Sequence, residues 1–188
     1  MKHTVVETKK KSRLSNTQIL IAYFFIFAFL GWIIETLFCF HTLGHFTNRG
    51  FLYGPICPIY GFGAIMLILF LSKYKHNSLK LFAYSAVIFS VFEYCVSFAL
   101  EALFGIHWWD YTNEFMNVNG RAGIFYAFAW GIMAILFINH IYPFVQKLLN
   151  KVLDYTSYLF QVTVLRLVLV ICFIDTITSC TGYFQLLF

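Results

Sequence analysis

The stretch Leu79 to Phe104, LKLFAYSAVIFSVFEYCVSFALEALF, decides the class of fold. After Lys80 its only charges are Glu93 and Glu101. The rest stays apolar for the roughly 17–25 residues that a helix needs to cross a hydrocarbon core of about 30 Å. A continuous apolar run predicts a helix and not a barrel strand, because a bilayer makes each segment satisfy its own backbone hydrogen bonds. Four more such runs cover Ile19–Phe40, Pro55–Leu71, Gly123–Phe144 and Leu165–Phe188, of which the second is shortest. The whole chain agrees: of 188 residues, 61% are hydrophobic and 11% charged, against averages of about 45–50% and about 25% in soluble domains. The expected fold is an all-α integral membrane protein of about five transmembrane helices.

The net charge of +5 is explained by orientation, and no nucleic-acid partner is expected. Threading five spans puts Lys2, Lys9, Lys10, Lys11 and Arg13 before the first, Lys73, Lys75 and Lys80 between the second and third, and Lys147, Lys151 and Arg166 before the fifth. Only Arg49 and Arg121 fall on the opposite side. An excess of Lys and Arg in short loops marks the cytoplasmic face, so the N-terminus is expected inside and the C-terminus outside. A basic tail can also bind anionic lipid. The first run is too long for a signal-peptide core and has no small-residue cleavage pattern, so it is expected to remain as an anchor. The chain then divides into a basic tail over 1–18, a transmembrane core over 19–144, and a cytoplasmic connection with the fifth helix over 145–188.

Cys39, Cys57, Cys95, Cys172 and Cys180 are scattered without a C-x-x-C pair, which fits buried free thiols and neither a disulfide framework nor a zinc site. No phosphate-binding G-x-x-x-x-G-K-[ST] loop, H-E-x-x-H helix or G-x-S-x-G elbow is present. No enzymatic activity, cofactor or resident metal is therefore expected, and any nucleotide-driven transport would need a second chain for hydrolysis.

An internal repeat emerges instead. Glu35–His41 and Glu101–His107 both read E-x-L-F-x-x-H. Each copy runs through an aromatic loop to an Asn/Arg/Gly cluster, Asn48-Arg49-Gly50 or Asn119-Gly120-Arg121. Similar helical text follows, Gly63–Phe70 against Gly131–Phe137. This predicts a duplicated two-helix hairpin. Because both hairpins start inside, the copies should be parallel, related by a pseudo-twofold axis along the membrane normal, with the fifth helix outside the repeat.

Ionisable groups within the spans mark the candidate site, since a charge at the bilayer centre costs roughly 2.5–3.5 kcal/mol even on mild insertion scales. Ser90, Glu93, Ser97 and Glu101 are spaced by three, four and four residues and form one polar stripe, which should face protein. Ala28, Gly31 and Glu35 share a face on the first helix. Gly123, Ala127 and Gly131 make a small-xxx-small seam on the fourth. Asp175 lies mid-span in the fifth with Thr178 and Ser179 nearby. Glu35 and Glu101 lie toward the outer helix ends where Arg49 and Arg121 begin the return helices, and cross-pairing between them is physically plausible. Two readings stand: structural ion pairs that fix helix register, or a polar cavity open to the outside, lined by those four residues with Glu93 deeper. The outer segments add Tyr60, Trp109, Asp110 and Asn119 to Glu35, Arg49, Glu93, Ser97, Glu101 and Arg121 as substrate or ion pathway candidates. Two prolines and four glycines in Asn48–Gly63 predict a broken start to the second helix. The aromatics of Gly105–Asn113 fit an interfacial belt, or an aromatic box for a cation.

The strings N-R-G-F-L-Y-G-P-I-C-P-I-Y-G-F-G at Asn48–Gly63, and W-W-D-Y with N-V-N-G-R within Trp108–Arg121, resemble the ABC-transporter type IV, or CmpB-like, family of bacterial membrane proteins. The resemblance covers roughly Leu30 to Phe137. It implies a permease-like subunit of the bacterial cell membrane whose ATPase is a separate protein, and carries no catalytic or substrate-binding assignment. The expected partners are the lipid bilayer, that separate ATPase subunit, and further copies of the chain in a homo-oligomer. A non-transporting envelope-assembly or regulatory subunit is the alternative. A metal or ion site built from Glu35, His41, Glu101 and His107 is a weaker third, because residues six apart lie on different faces of a continuous helix.

Overall fold

The computed structural model describes residues 14–185. Lys2, Lys9, Lys10, Lys11 and Arg13 of the basic tail, and the end of the fifth apolar run from Leu186 to Phe188, lie outside the described residues.

Five helices carry the fold: α1 (Asn16–Leu43), α2 (Pro58–Tyr74), α3 (Ser78–Phe104), α4 (Ile124–Tyr155) and α5 (Tyr158–Gln185). Local chemistry sets their ends. A capping box starts α1, in which the Ser15 hydroxyl accepts from the Gln18 amide at 3.3 Å and the Gln18 side chain accepts from the Ser15 amide at 2.8 Å. Asn77 caps α3 by accepting from the Lys80 amide at 3.0 Å. Both α1 and α3 stop where glycine takes a left-handed conformation, Gly44 at φ 75° and Gly105 at φ 64°. Pro58 occupies the first turn of α2, where its missing N–H costs nothing. Residues 49–57 before it are irregular, as the prolines and glycines predict.

Both return helices pass through a π-helical turn, Leu67–Leu71 in α2 and Phe137–Ile141 in α4. In α4 this turn lies just before Pro143, whose ring blocks regular α bonding. Two short strands, β1 (Asn117–Val118) and β2 (Ala122–Gly123), pair antiparallel in the loop between α3 and α4, a feature absent from the sequence reading.

Four helices, α1, α3, α4 and α5, are long and apolar enough to cross a membrane, while α2 is a shorter apolar helix. Large apolar side chains point outward from them, among them Phe38, Phe125 and Phe173. A soluble protein could not keep so much apolar surface in water. The chain is an all-α membrane protein.

Two expected boundaries are corrected. The fourth run was expected to end at Phe144, yet α4 continues to Tyr155. At 1.5 Å per residue its 32 residues extend about 48 Å, so the last turns, with Lys147 and Lys151, project beyond a hydrocarbon core. Hydropathy stops where charge begins, but Gln, Lys and Leu are good helix formers and the backbone does not stop there. The fifth run was expected to begin at about Leu165, with Arg166 among the cytoplasmic charges at its start. In fact α5 begins at Tyr158, and Arg166 stands two turns inside. Its start is fixed by Gln161, which donates to the carbonyls of Leu153 at 2.8 Å and Thr156 at 3.2 Å and so closes the end of α4.

The hydrophobic core joins α1 to α4 through Tyr23, Phe27, Leu67, Leu81, Phe89 and Phe137. Its close approaches use the predicted small residues. The ring of Tyr60 lies against Gly31 and that of Phe82 against Gly131, where any β-carbon would collide. Helix α5 stays outside this core.

Candidate functional site

Among the described residues Glu93 is the buried acid. It sits mid-length in α3, 5% exposed, and receives one hydrogen bond on each oxygen. The hydroxyl of Tyr111, from the α3–α4 loop, donates to Oε1 at 2.8 Å, and Nε1 of Trp130, from α4, donates to Oε2 at 3.1 Å. Both donors are neutral, and no Lys, Arg or His pairs with Glu93 among the described residues. Tyr111 is held by its ring, stacked on Tyr126 with centroids 3.8 Å apart, and by its amide, which donates to the Gly120 carbonyl at 2.8 Å. Ser97, one turn further along the predicted stripe, is buried with its hydroxyl unpartnered. Ser90 turns back to the Ala86 carbonyl of its own helix.

Glu93 lines a cavity of about 420 Å³ between the two hairpins, to which α1, α2, α3 and α4 all contribute. Its wall is chiefly apolar, with Tyr60 and Trp130 as the other residues bearing side-chain polar atoms. The hydroxyl of Tyr60 donates to Glu35 Oε1 at 2.7 Å. Tyr60 therefore connects the cavity wall to the carboxylate of α1.

Glu35 and Glu101 are each paired within their own hairpin, and the cross-pairing considered from sequence is not formed. Arg49 Nε lies 3.7 Å from Glu35 Oε2. Arg121 forms an ion pair with Glu101 through Nη2, and His107 Nε2 lies 3.1 Å from the other oxygen of Glu101. The Arg121 guanidinium also lies over the rings of Tyr94 and Phe98, each 5.7 Å away. Of these four charged residues none is in the cavity wall.

The remaining candidates sit in the α3–α4 loop and build it. Trp109 Nε1 donates to the Arg121 carbonyl at 3.0 Å, and Asn119 Nδ2 donates to the Tyr94 hydroxyl at 3.0 Å. Asn119 adopts φ 52° in the turn between the strands. Asp110 is exposed and closes a turn by accepting from both the amide and the hydroxyl of Thr112. Those two bonds hold its carboxyl below the usual carboxylate range. Among the described residues no group of three or more His, Cys, Asp or Glu could hold a metal ion.

Residues 22–180 match the family described as "Putative ABC-transporter type IV". The chain belongs to this family. The match reaches well past Leu30–Phe137 and takes in most of α5. No curated protein and no solved structure gives a significant match.

In this ABC-transporter type IV chain, α5 is fastened by Asp175. Its carboxylate accepts from the Gly54 amide at 2.9 Å and the Tyr53 amide at 3.1 Å, and the Tyr53 amide also reaches the Ser179 hydroxyl at 3.2 Å. Phe51, Phe104, Trp108 and Tyr183 pack around that junction with ring centroids 5.2–6.2 Å apart. The residues that sequence reading missed are Tyr111 and Trp130, which hold Glu93 from 18 and 37 positions away. At those separations no helical or strand periodicity could have linked them. The visible signal was only a polar-tipped aromatic in an otherwise apolar run.

Proposed function

We propose that the chain is the membrane-spanning, permease-like subunit of a bacterial transporter, with five crossings, a cytoplasmic N-terminus and the inter-hairpin cavity as its cargo site. One observation carries this reading: a buried carboxylate, Glu93, faces a cavity between two helical hairpins and has no cationic partner among the described residues. Intramembrane acids without a structural counter-ion mark ion and substrate pathways. Matching parts of the hairpins support a parallel repeat. Each has a glycine-capped first helix, an internal Glu–Arg pair and a π turn in its return helix. Transport sites lie at such repeat interfaces near mid-depth. The projecting end of α4, carrying Lys147 and Lys151, supplies a cytoplasmic surface for a separate ATPase.

Proteoliposomes holding the full chain and the ATPase that co-purifies with it should accumulate a solute from a labelled panel when ATP is supplied. Glu93→Gln should abolish accumulation while leaving the complex assembled. Absence of both flux and an ATPase partner would reassign the chain to an envelope-assembly or regulatory role.

A further inference from the structure

The wall of the inter-hairpin cavity offers one acid and no base: Glu93 is present, and no Lys, Arg or His lines it. An anion placed there would meet only a carboxylate. A sugar would leave most of its hydroxyls unpaired against apolar side chains, at a cost for each. A divalent ion needs several oxygen ligands at once, and no cluster of that kind exists among the described residues. What the wall does supply is aromatic surface. Phe27, Phe89, Phe92 and Trp130 line it, with the rings of Phe89 and Trp130 centred 5.8 Å apart. Aromatic faces attract cations, most strongly where water is excluded.

The carboxylate is also open to a further partner. Each Glu93 oxygen accepts one neutral donor and retains lone-pair capacity for another. The volume of about 420 Å³ falls in the range of about 300–1,000 Å³ that takes an organic ligand. The cavity reaches the side of the bundle as well. Ile34 and Met133 belong to its wall, yet are 55% and 41% exposed, each more than two turns inside its helix, α1 or α4. Surface at that depth on apolar spans faces hydrocarbon.

We propose that this cavity binds an apolar amine taken from the bilayer, its single ammonium on Glu93 and its aliphatic or aromatic body against the rings. This rests on the reading of the cavity as the cargo site.

The test is equilibrium binding of 1-naphthylmethylamine and its neutral counterpart 1-naphthylmethanol to the full chain in zwitterionic nanodiscs, with empty nanodiscs subtracted. The amine should bind at least tenfold more tightly. Glu93→Gln should bring it down to the level of the alcohol and leave the alcohol unchanged. Met133→Trp, at the exposed mouth, should weaken both probes. Equal affinity of the two probes overturns the proposal, as does an amine preference that survives Glu93→Gln. If Glu93→Gln does not fold, amine binding untouched by Met133→Trp overturns it by placing the amine elsewhere. Amine binding without flux in proteoliposomes removes the transport reading and leaves the ligand class. Flux of another solute with no amine preference does the reverse.

Discussion

Tyr111 and Glu93 stand 18 residues apart in sequence, and the Tyr111 hydroxyl donates to the Glu93 carboxylate at 2.8 Å. Through this bond a residue of the α3–α4 loop is tied to an acid near the middle of α3. Tyr111→Phe keeps the ring stacked on Tyr126 and removes only the hydroxyl. It should lower thermal stability by about 1 kcal/mol and speed proteolysis within the 105–121 loop. Tyr126→Phe should do neither. Unchanged stability and proteolysis in Tyr111→Phe would show that the stack, which both variants keep, and not the hydrogen bond, holds the loop.

The two Glu–Arg pairs should differ in strength. The Arg121 side chain is 15% exposed and that of Arg49 is 38% exposed, so water and salt screen Arg49 far more. Double-mutant cycles with Gln should give a coupling of about 1–3 kcal/mol for Glu101–Arg121. For Glu35–Arg49 it should be at most about 1 kcal/mol. Raising salt to about 1 M, where the Debye length falls to about 3 Å, should erase the smaller coupling and spare most of the larger. Equal couplings, or equal salt sensitivity, would contradict the exposure argument.

Asp175 should decide whether the C-terminal half of α5 stays attached to the segment before α2. Asp175→Ala leaves the Tyr53 and Gly54 amides without their carboxylate acceptor, a loss of about 1–3 kcal/mol. Asp175→Asn keeps one acceptor oxygen and should lose roughly half as much. Protease cleavage within residues 49–57 should follow the same order, and wild-type resistance in the Ala variant would exclude this anchoring role.

The Asp110 turn should depend on pH in one direction. Its carboxyl is held below the usual range by the Thr112 hydroxyl and amide. A depressed acid contributes stability above its unfolded value, near 3.9, and loses it as pH falls through the lower folded value. Hydrogen exchange at the Thr112 amide should therefore stay slow at neutral pH and accelerate only below about pH 4. In Asp110→Ala it should be fast throughout. Acceleration already near neutrality would assign the turn to another titrating group.

Orientation is tested directly by fusions. A reporter placed after Lys75 should read cytoplasmic and one after Asn113 external, as the distribution of Lys and Arg requires. The reverse pattern would put the Glu–Arg pairs and the aromatic loop on the inner face.

The sequence by itself determined the membrane class, because helices in hydrocarbon are written as unbroken apolar text and the bilayer permits few other structures. It also determined the small-residue contacts at Gly31 and Gly131, the irregular segment before Pro58 and the family. It located Glu93, since a lone acid among apolar residues is conspicuous wherever the chain folds. Helix ends were less legible. Hydropathy records where lipid stops, whereas α4 ends and α5 begins where a capping group, Gln161, satisfies the backbone. Only the tertiary structure decided which partner each polar group takes. Arg49 and Arg121 each had two glutamates within plausible reach, and loop geometry chose the one in the same hairpin. Tyr111, Trp130 and Asp175 find their partners 18, 37 and 121–122 positions away. Pairings that distant are fixed by how the helices pack and where the loops fold back, and no local periodicity in the chain encodes them.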